Sequence, residues 1–185
     1  MKRLLGLLLL VLVGCDDPGV VMTGADAGPA PLPSGCEDGP LADPIPGCAP
    51  TPAASSGDPY QDCVDRINQF RAECQCLPPL ERWRDAEDCA DQHARYDSEG
   101  AGPHGGFSDD ICSPRGRAQN ECPGWRGGTE GVVRQCLQLM WDEGPGEPFS
   151  AHGHYINMSN PGHTRVACGF YETPSGELWS VQNFR

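Results

Sequence analysis

His152 and His154, two residues apart in the stretch Ala151-His-Gly-His-Tyr-Ile-Asn157, and the pair Cys74-Gln75-Cys76 are spacings at which this chain could do chemistry. An imidazole can ligate a metal, move a proton or serve as a buried polar group. If Gly153-His154-Tyr155 opens a strand, alternation turns His152 and His154 to one face, where both reach the same cleft. A Cys-x-Cys pair is half of a zinc site only where a second pair completes it, and the chain has none. No serine stands in a Gly-x-Ser-x-Gly elbow, so covalent catalysis through serine is disfavoured.

A third reactive residue is Cys15. Lys2 and Arg3 precede an apolar run, Leu4 to Val13, which ends in Leu12-Val13-Gly14-Cys15. Residues 1–14 thus read as a lipoprotein signal peptide with a bacterial lipobox. The small residue before Cys15 lets a transferase alkylate the thiol with diacylglycerol and a peptidase cut ahead of it. An apolar run of about ten residues is too short to span a bilayer as a helix. The mature chain is therefore expected to be lipid-anchored to a membrane, on the periplasmic side or at the cell surface. Loss of Lys2 and Arg3 takes the formal charge from −13 to −15. Such acidity repels phosphate backbones, which excludes nucleic acid as a partner.

Eleven cysteines in an exported chain imply disulfides. With Cys15 lipidated, ten remain: Cys36, Cys48, Cys63, Cys74, Cys76, Cys89, Cys112, Cys122, Cys136 and Cys168. That is enough for five bridges and no free thiol. Residues 16–57 hold nine of the nineteen prolines, no aromatic residue and no Lys or Arg. A segment of this composition cannot bury a core, so 15–57 is expected to be an extended tether, with Cys36 and Cys48 closing a small loop on each other.

The elements that must position any site begin at Asp58-Pro59, an N-cap acceptor followed by a residue that needs no amide partner. Behind it Cys63, Ile67, Phe70 and Cys74 recur at helical spacing, as far as Pro78-Pro79. Asp85 caps a second helix whose inner stripe is Ala86, Cys89, Ala90 and His93, which makes His93 a packed residue and no ligand. Positions 97–128 are rich in Gly, Pro and Ser and carry little regular structure; Cys112 and Cys122 are expected to pair there. Thr129 starts a third helix, with Val132, Val133, Cys136, Leu137 and Met140 inward, which stops at Gly144-Pro145. Arg165–Tyr171 and Leu178–Phe184 are strands joined by the turn Thr173-Pro-Ser-Gly176. Helices and a terminal hairpin predict an α+β layered domain over 58–185.

Over 58–185 the motifs and their order resemble the CAP superfamily of cysteine-rich secretory proteins, antigen 5 and pathogenesis-related 1. "CVDRINQFRA", with Asn68 and Arg71, resembles the family's opening helix, and "LPPLERW" the segment leading into its second. "GHYINMSN" and "TRVACGFY" resemble its Gly-His-Tyr and Gly-Cys-Gly strands, and "WSVQNFR" its closing strand. The resemblance implies an α-β-α sandwich around a cleft with two His and two Glu. Carried over residue by residue, these are His104, Glu121, Glu143 and His154. Asn120 precedes Glu121 where the family has Glu before Asn, and Asp142 competes with Glu143 as second acid.

Two imidazoles and two carboxylates form a donor set that suits zinc, with His104 and His154 as metal ligands. The same four residues equally make a hydrogen-bonded network without metal. The function the resemblance implies is a binding or interaction module for a lipid, a peptide or an envelope protein. A metal-dependent hydrolase, with a glutamate beside a histidine as general base, and a structural envelope protein are the alternatives.

Overall fold

A computed structural model of the chain describes residues 35–185; the signal segment, Cys15 and the first part of the expected tether lie outside the described residues. Helix α1 (Pro59–Gln75) starts where the sequence places it. The Asp58 carboxylate accepts from the amides of Tyr60 and Gln61, and the helix closes on Cys76 in the left-handed conformation. Strand β1 (Glu81–Arg82) leads through a 3-10 turn, Arg84–Ala86, into α2 (Glu87–Tyr96). A π-type turn, Asp97–Ala101, and a short helix α3 (Gly105–Ser108) follow, then strand β2 (Ala118–Trp125). The third expected helix runs as α4 (Gly128–Gly131), a π-type segment Val132–Cys136 and α5 (Leu137–Asp142). Helix α6 (Phe149–Ser159) and the hairpin β3 (Arg165–Glu172) and β4 (Leu178–Phe184) complete the chain.

The four strands lie in the order β1-β3-β4-β2, with β1 parallel to β3 and the other pairs antiparallel. Two neighbouring residues of β3 show why helices cover both faces. Cys168 is disulfide-bonded to Cys63 of α1. Gly169 turns the opposite way, where a Cβ would stand 2.2 Å from the carbonyl carbon of Ala90 in α2. Alternation along the strand thus points one residue at each layer, and the α-β-α sandwich is the result. The larger core fills the α1 side with Ile67, Phe70, Leu137, Trp141, Met158, Val166 and Phe184, while Ala90, Ala94 and Val181 pack on the α2 side. Small alanines on α2 let it approach the sheet at the glycine.

Asn68 and Arg71 have framework roles. The Asn68 amide exchanges two hydrogen bonds with the backbone of Leu80, at 2.9 and 2.7 Å. Fully buried Arg71 donates to the carbonyls of Pro78 and Met158, at 2.9 and 2.7 Å, tying the turn after α1 to the end of α6.

All ten cysteines of residues 35–185 form five bridges, but two expected pairings are overturned. Cys36 bonds Cys76 and Cys48 bonds Cys74, while Cys112 bonds Cys89 and Cys122 bonds Cys136. Cys122 lies on β2 and points at the helix carrying Cys136, whereas the loop holding Cys112 folds back onto α2. Residues 35–57 consequently lie along α1. The Leu41 and Ile45 amides donate to the carbonyls of Gln75 and Cys74, and Arg66 donates to the carbonyl of Pro50.

Two further expectations fail. The Gly- and Pro-rich stretch 97–128 contains the edge strand β2, in which Asn120 and Glu121 pair with Gln182 and Val181 of β4. The segment read as the strand "GHY" is the helix α6. Tyr155 and Met158, three apart, are its buried apolar residues, a helical and not a strand spacing.

Candidate functional site

Helical geometry separates His152 from His154 by roughly 200° about the axis of α6, so the two rings do not converge. His152 Nδ1 lies 2.7 and 3.0 Å from the carbonyls of Glu143 and Gly144 and closes the C-terminal end of α5. His154 faces Glu143. One carboxylate oxygen accepts from the His154 amide at 3.0 Å and the other contacts Nδ1 at 2.5 Å. An ionised carboxylate only accepts, so the proton is on Nδ1 and the Nε2 lone pair is left over. Asp142, the competing acid, accepts from Gln138 instead. The second acid beside a histidine is therefore Glu143.

The other pair is built on β2. Its side chains alternate: Gln119 and Glu121 face His93 and His104, while Asn120 faces α6 and donates to the His154 carbonyl at 2.9 Å. His104 sits in the left-handed conformation at the start of α3, with its amide 2.6 Å from Glu121 Oε2. Its ring does not reach that carboxylate, at 3.8 Å, and binds Gln119 Oε1 at 2.7 Å. The amide orientation of Gln119 follows from its other end, where Nε2 lies 3.0 Å from His93 Nδ1 and 3.1 Å from Asn183 Oδ1. Gln119 Oε1 is thus the acceptor, His104 Nδ1 the donor, and Nε2 again the open lone pair. His93 is fully buried, as expected for a packed residue, and burial pushes its pKa down.

Glu121 is almost fully buried, and loss of solvation pushes its carboxyl up to about 8. Burial also raises Asp97, at the end of α2, and Asp97 Oδ2 and Glu121 Oε1 are both buried without a hydrogen-bond partner. The charge of Asp97 adds to burial in keeping the proton on Glu121. Asp97 Oδ1 in turn accepts from the Gly106 amide at 2.6 Å, so the pair fixes the loop that carries His104. Asp97 and Gln119 are the site residues that sequence reasoning missed. The available signal was the four-residue step from His93 to Asp97 along the inner face of α2.

The structure thus forms two His/Glu pairs, joined through neighbouring residues of β2. As donors for zinc the members are unequal. Both imidazoles hold their Nδ1 proton on an acceptor and leave Nε2, the arrangement seen in metal-ligating histidines. Glu121 is protonated and enclosed, and Glu143 is engaged by His154 through both oxygens, so the acids orient and the two rings are the available ligands. Among the described residues, the one group of three or more candidate ligands within 4.8 Å is Cys89, His93 and Cys112, whose two sulfurs are joined in a disulfide.

The model of the CAP, or cysteine-rich secretory protein, family matches residues 64–184. Two similar solved structures are "Structure of BmVAL-1" and "Crystal Structure of Na-ASP-1". The first is 16% identical with a TM-score of 0.49, over 76% of this chain and 80% of that one. The second is 15% identical with a TM-score of 0.50, over 79% of this chain and 43% of that one. No curated protein matches in sequence. With the family model spanning well over half its length and an α-β-α sandwich to match, the chain belongs to the CAP family.

Proposed function

We propose that this protein is an exported, lipid-anchored CAP-domain protein whose His104 and His154 rings form a binding cleft. The observation that carries the binding reading is the matched state of the two rings: each has Nδ1 committed to a fixed acceptor and presents Nε2. Lone pairs so presented take up a divalent metal or a hydrogen-bond donor of a peptide or partner protein. The chemistry of the acids favours binding over hydrolysis. Glu121 keeps its proton at neutral pH and is no general base, and Glu143 is spent on the His154 amide and ring.

The anchor rests on the lipobox at Cys15. Five disulfides support an oxidising, extracytoplasmic location, and among the described residues no helix is long and apolar enough to cross a membrane. Calorimetric titration of zinc into wild type, His104→Ala and His154→Ala tests the cleft. Binding is expected in wild type and lost in both variants, and weaker at lower pH because protons and metal compete for the same lone pairs. Zinc bound equally by all three proteins removes the rings from the site. Cys15→Ala is expected to leave the membrane fraction or to stay unprocessed; a processed variant still on the membrane refutes the anchor.

A further inference from the structure

Away from the histidines, the structure gathers positive charge on an acidic protein. Of the thirteen Lys and Arg residues, Lys2 and Arg3 are at the start, so the other eleven, all arginine, lie in residues 35–185. Three of these, Arg115, Arg117 and Arg185, line one pocket of about 300 Å³, together with Trp83 and a single acidic side chain, Asp110.

The pocket is built by particular residues. Gly116 has φ +84°, and a Cβ there would stand 2.5 Å from the carbonyl oxygen of Phe184. Only glycine lets the chain lie against the end of β4, where the Arg117 amide donates to that same oxygen at 2.8 Å. The sequence Arg-Gly-Arg thereby delivers two guanidiniums beside Arg185. The Arg185 guanidinium lies 5.5 Å above the Trp83 ring, and its main-chain oxygen is taken by the amides of Thr164 and Arg165. Arg115 pairs with Asp110 and lies 4.5 Å over Phe107. Among the described residues, neither the Arg117 nor the Arg185 guanidinium has a hydrogen bond or an acid partner.

Asp110 balances Arg115, and the main-chain carboxylate of Arg185 is engaged by the Thr164 and Arg165 amides, so two guanidiniums, those of Arg117 and Arg185, stand without a side-chain acid. A phosphomonoester carries close to two negative charges at neutral pH. Its oxygens also suit the forked donors of arginine, whereas a monocarboxylate leaves one guanidinium unmatched. We propose that this pocket is a binding site for a phosphomonoester dianion, clasped by Arg115, Arg117 and Arg185. The ester is either a small soluble phosphate or the headgroup of a phosphatidic acid, since both present the same group.

The test is calorimetric titration of the full chain with glycerol 3-phosphate and, separately, with dihexanoyl phosphatidic acid below its micelle concentration. The Nε–H resonances of Arg117 and Arg185 are followed in parallel. Saturable binding that moves both resonances is expected, with affinity falling about tenfold for each guanidinium removed in Arg117→Gln and Arg185→Gln. Tighter binding of the acylated ligand identifies a lipid source, and equal binding a soluble one. Binding of neither ligand at millimolar concentration, or binding undiminished in the double variant, overturns the proposal. His154→Ala is expected to bind both ligands like wild type, so the fate of the histidine cleft and that of this pocket are read separately.

Discussion

At the scale of single residues, the Asp97–Glu121 pair leaves a measurable mark on pH dependence. Glu121 titrates at about 8 in the fold against 4.5 ordinarily. Between those values the folded protein keeps a proton that the unfolded chain has released, so its contribution to stability falls as pH rises through that window. Asp97, raised by burial, acts in the same sense. Buried His93 and His163, both pushed down, act oppositely below their ordinary 6.5, but they are untouched in a Glu121→Gln variant. Glutamine is uncharged like the protonated acid, and its carbonyl still accepts from the His104 amide. The wild type is therefore expected to lose more stability than Glu121→Gln between pH 5 and pH 8 in denaturant titrations. Parallel profiles for the two proteins refute the retained proton on Glu121. The individual histidines and glutamates were open to reading from local motifs. Asp97 and Gln119 were not, because their roles arise only where α2 meets β2, which no local pattern encodes.

Among the elements, α1 and the hairpin β3–β4 were legible because each carries its own periodicity and its own stop: Asp58-Pro59 and Pro78-Pro79 for the helix, Thr173 to Gly176 for the turn. Strand β2 was hidden. Its residues Gln119, Asn120 and Glu121 are polar on both sides, since one side meets α2 and His104 and the other α6. Alternation of polar and apolar residues never appears there. Helix α6 was misread because Gly153 and a polar run obscure the three-residue step from Tyr155 to Met158. Contact between elements also gives the sharpest mutational expectation. In Gly169→Ala the new methyl meets backbone atoms at 2.2 Å from the Ala90 carbonyl carbon and 2.4 Å from the Asp91 amide nitrogen. No rotamer relieves this, so α2 must lift from the sheet, and a loss of about 2–3 kcal/mol or more is expected in urea unfolding. An unchanged midpoint refutes the close approach of α2 to β3.

For the whole molecule, the number of bridges followed from the cysteine count, whereas partners depended on distant contacts: Cys63 and Cys168 are 105 residues apart in sequence. Non-reducing digestion with a protease that cuts at acidic residues is expected to release one three-chain fragment in which Cys36 and Cys48 hang from the single segment Cys74-Gln75-Cys76. Separate recovery of a Cys36–Cys48 peptide, or stoichiometric alkylation of the native protein by iodoacetamide, contradicts the pairing. Those two bridges also govern where a mechanical load enters the domain. A pull on the chain ahead of Cys36 does not peel residues 37–58 away and unwind α1 from its first turn. It passes through the Cys36–Cys76 sulfurs to the far end of that helix, beside the carbonyls that Arg71 ties together. Tension is then borne across covalent bonds and a buried guanidinium. The segment between the bridges stays slack, and the face of α1 it covers stays covered under load.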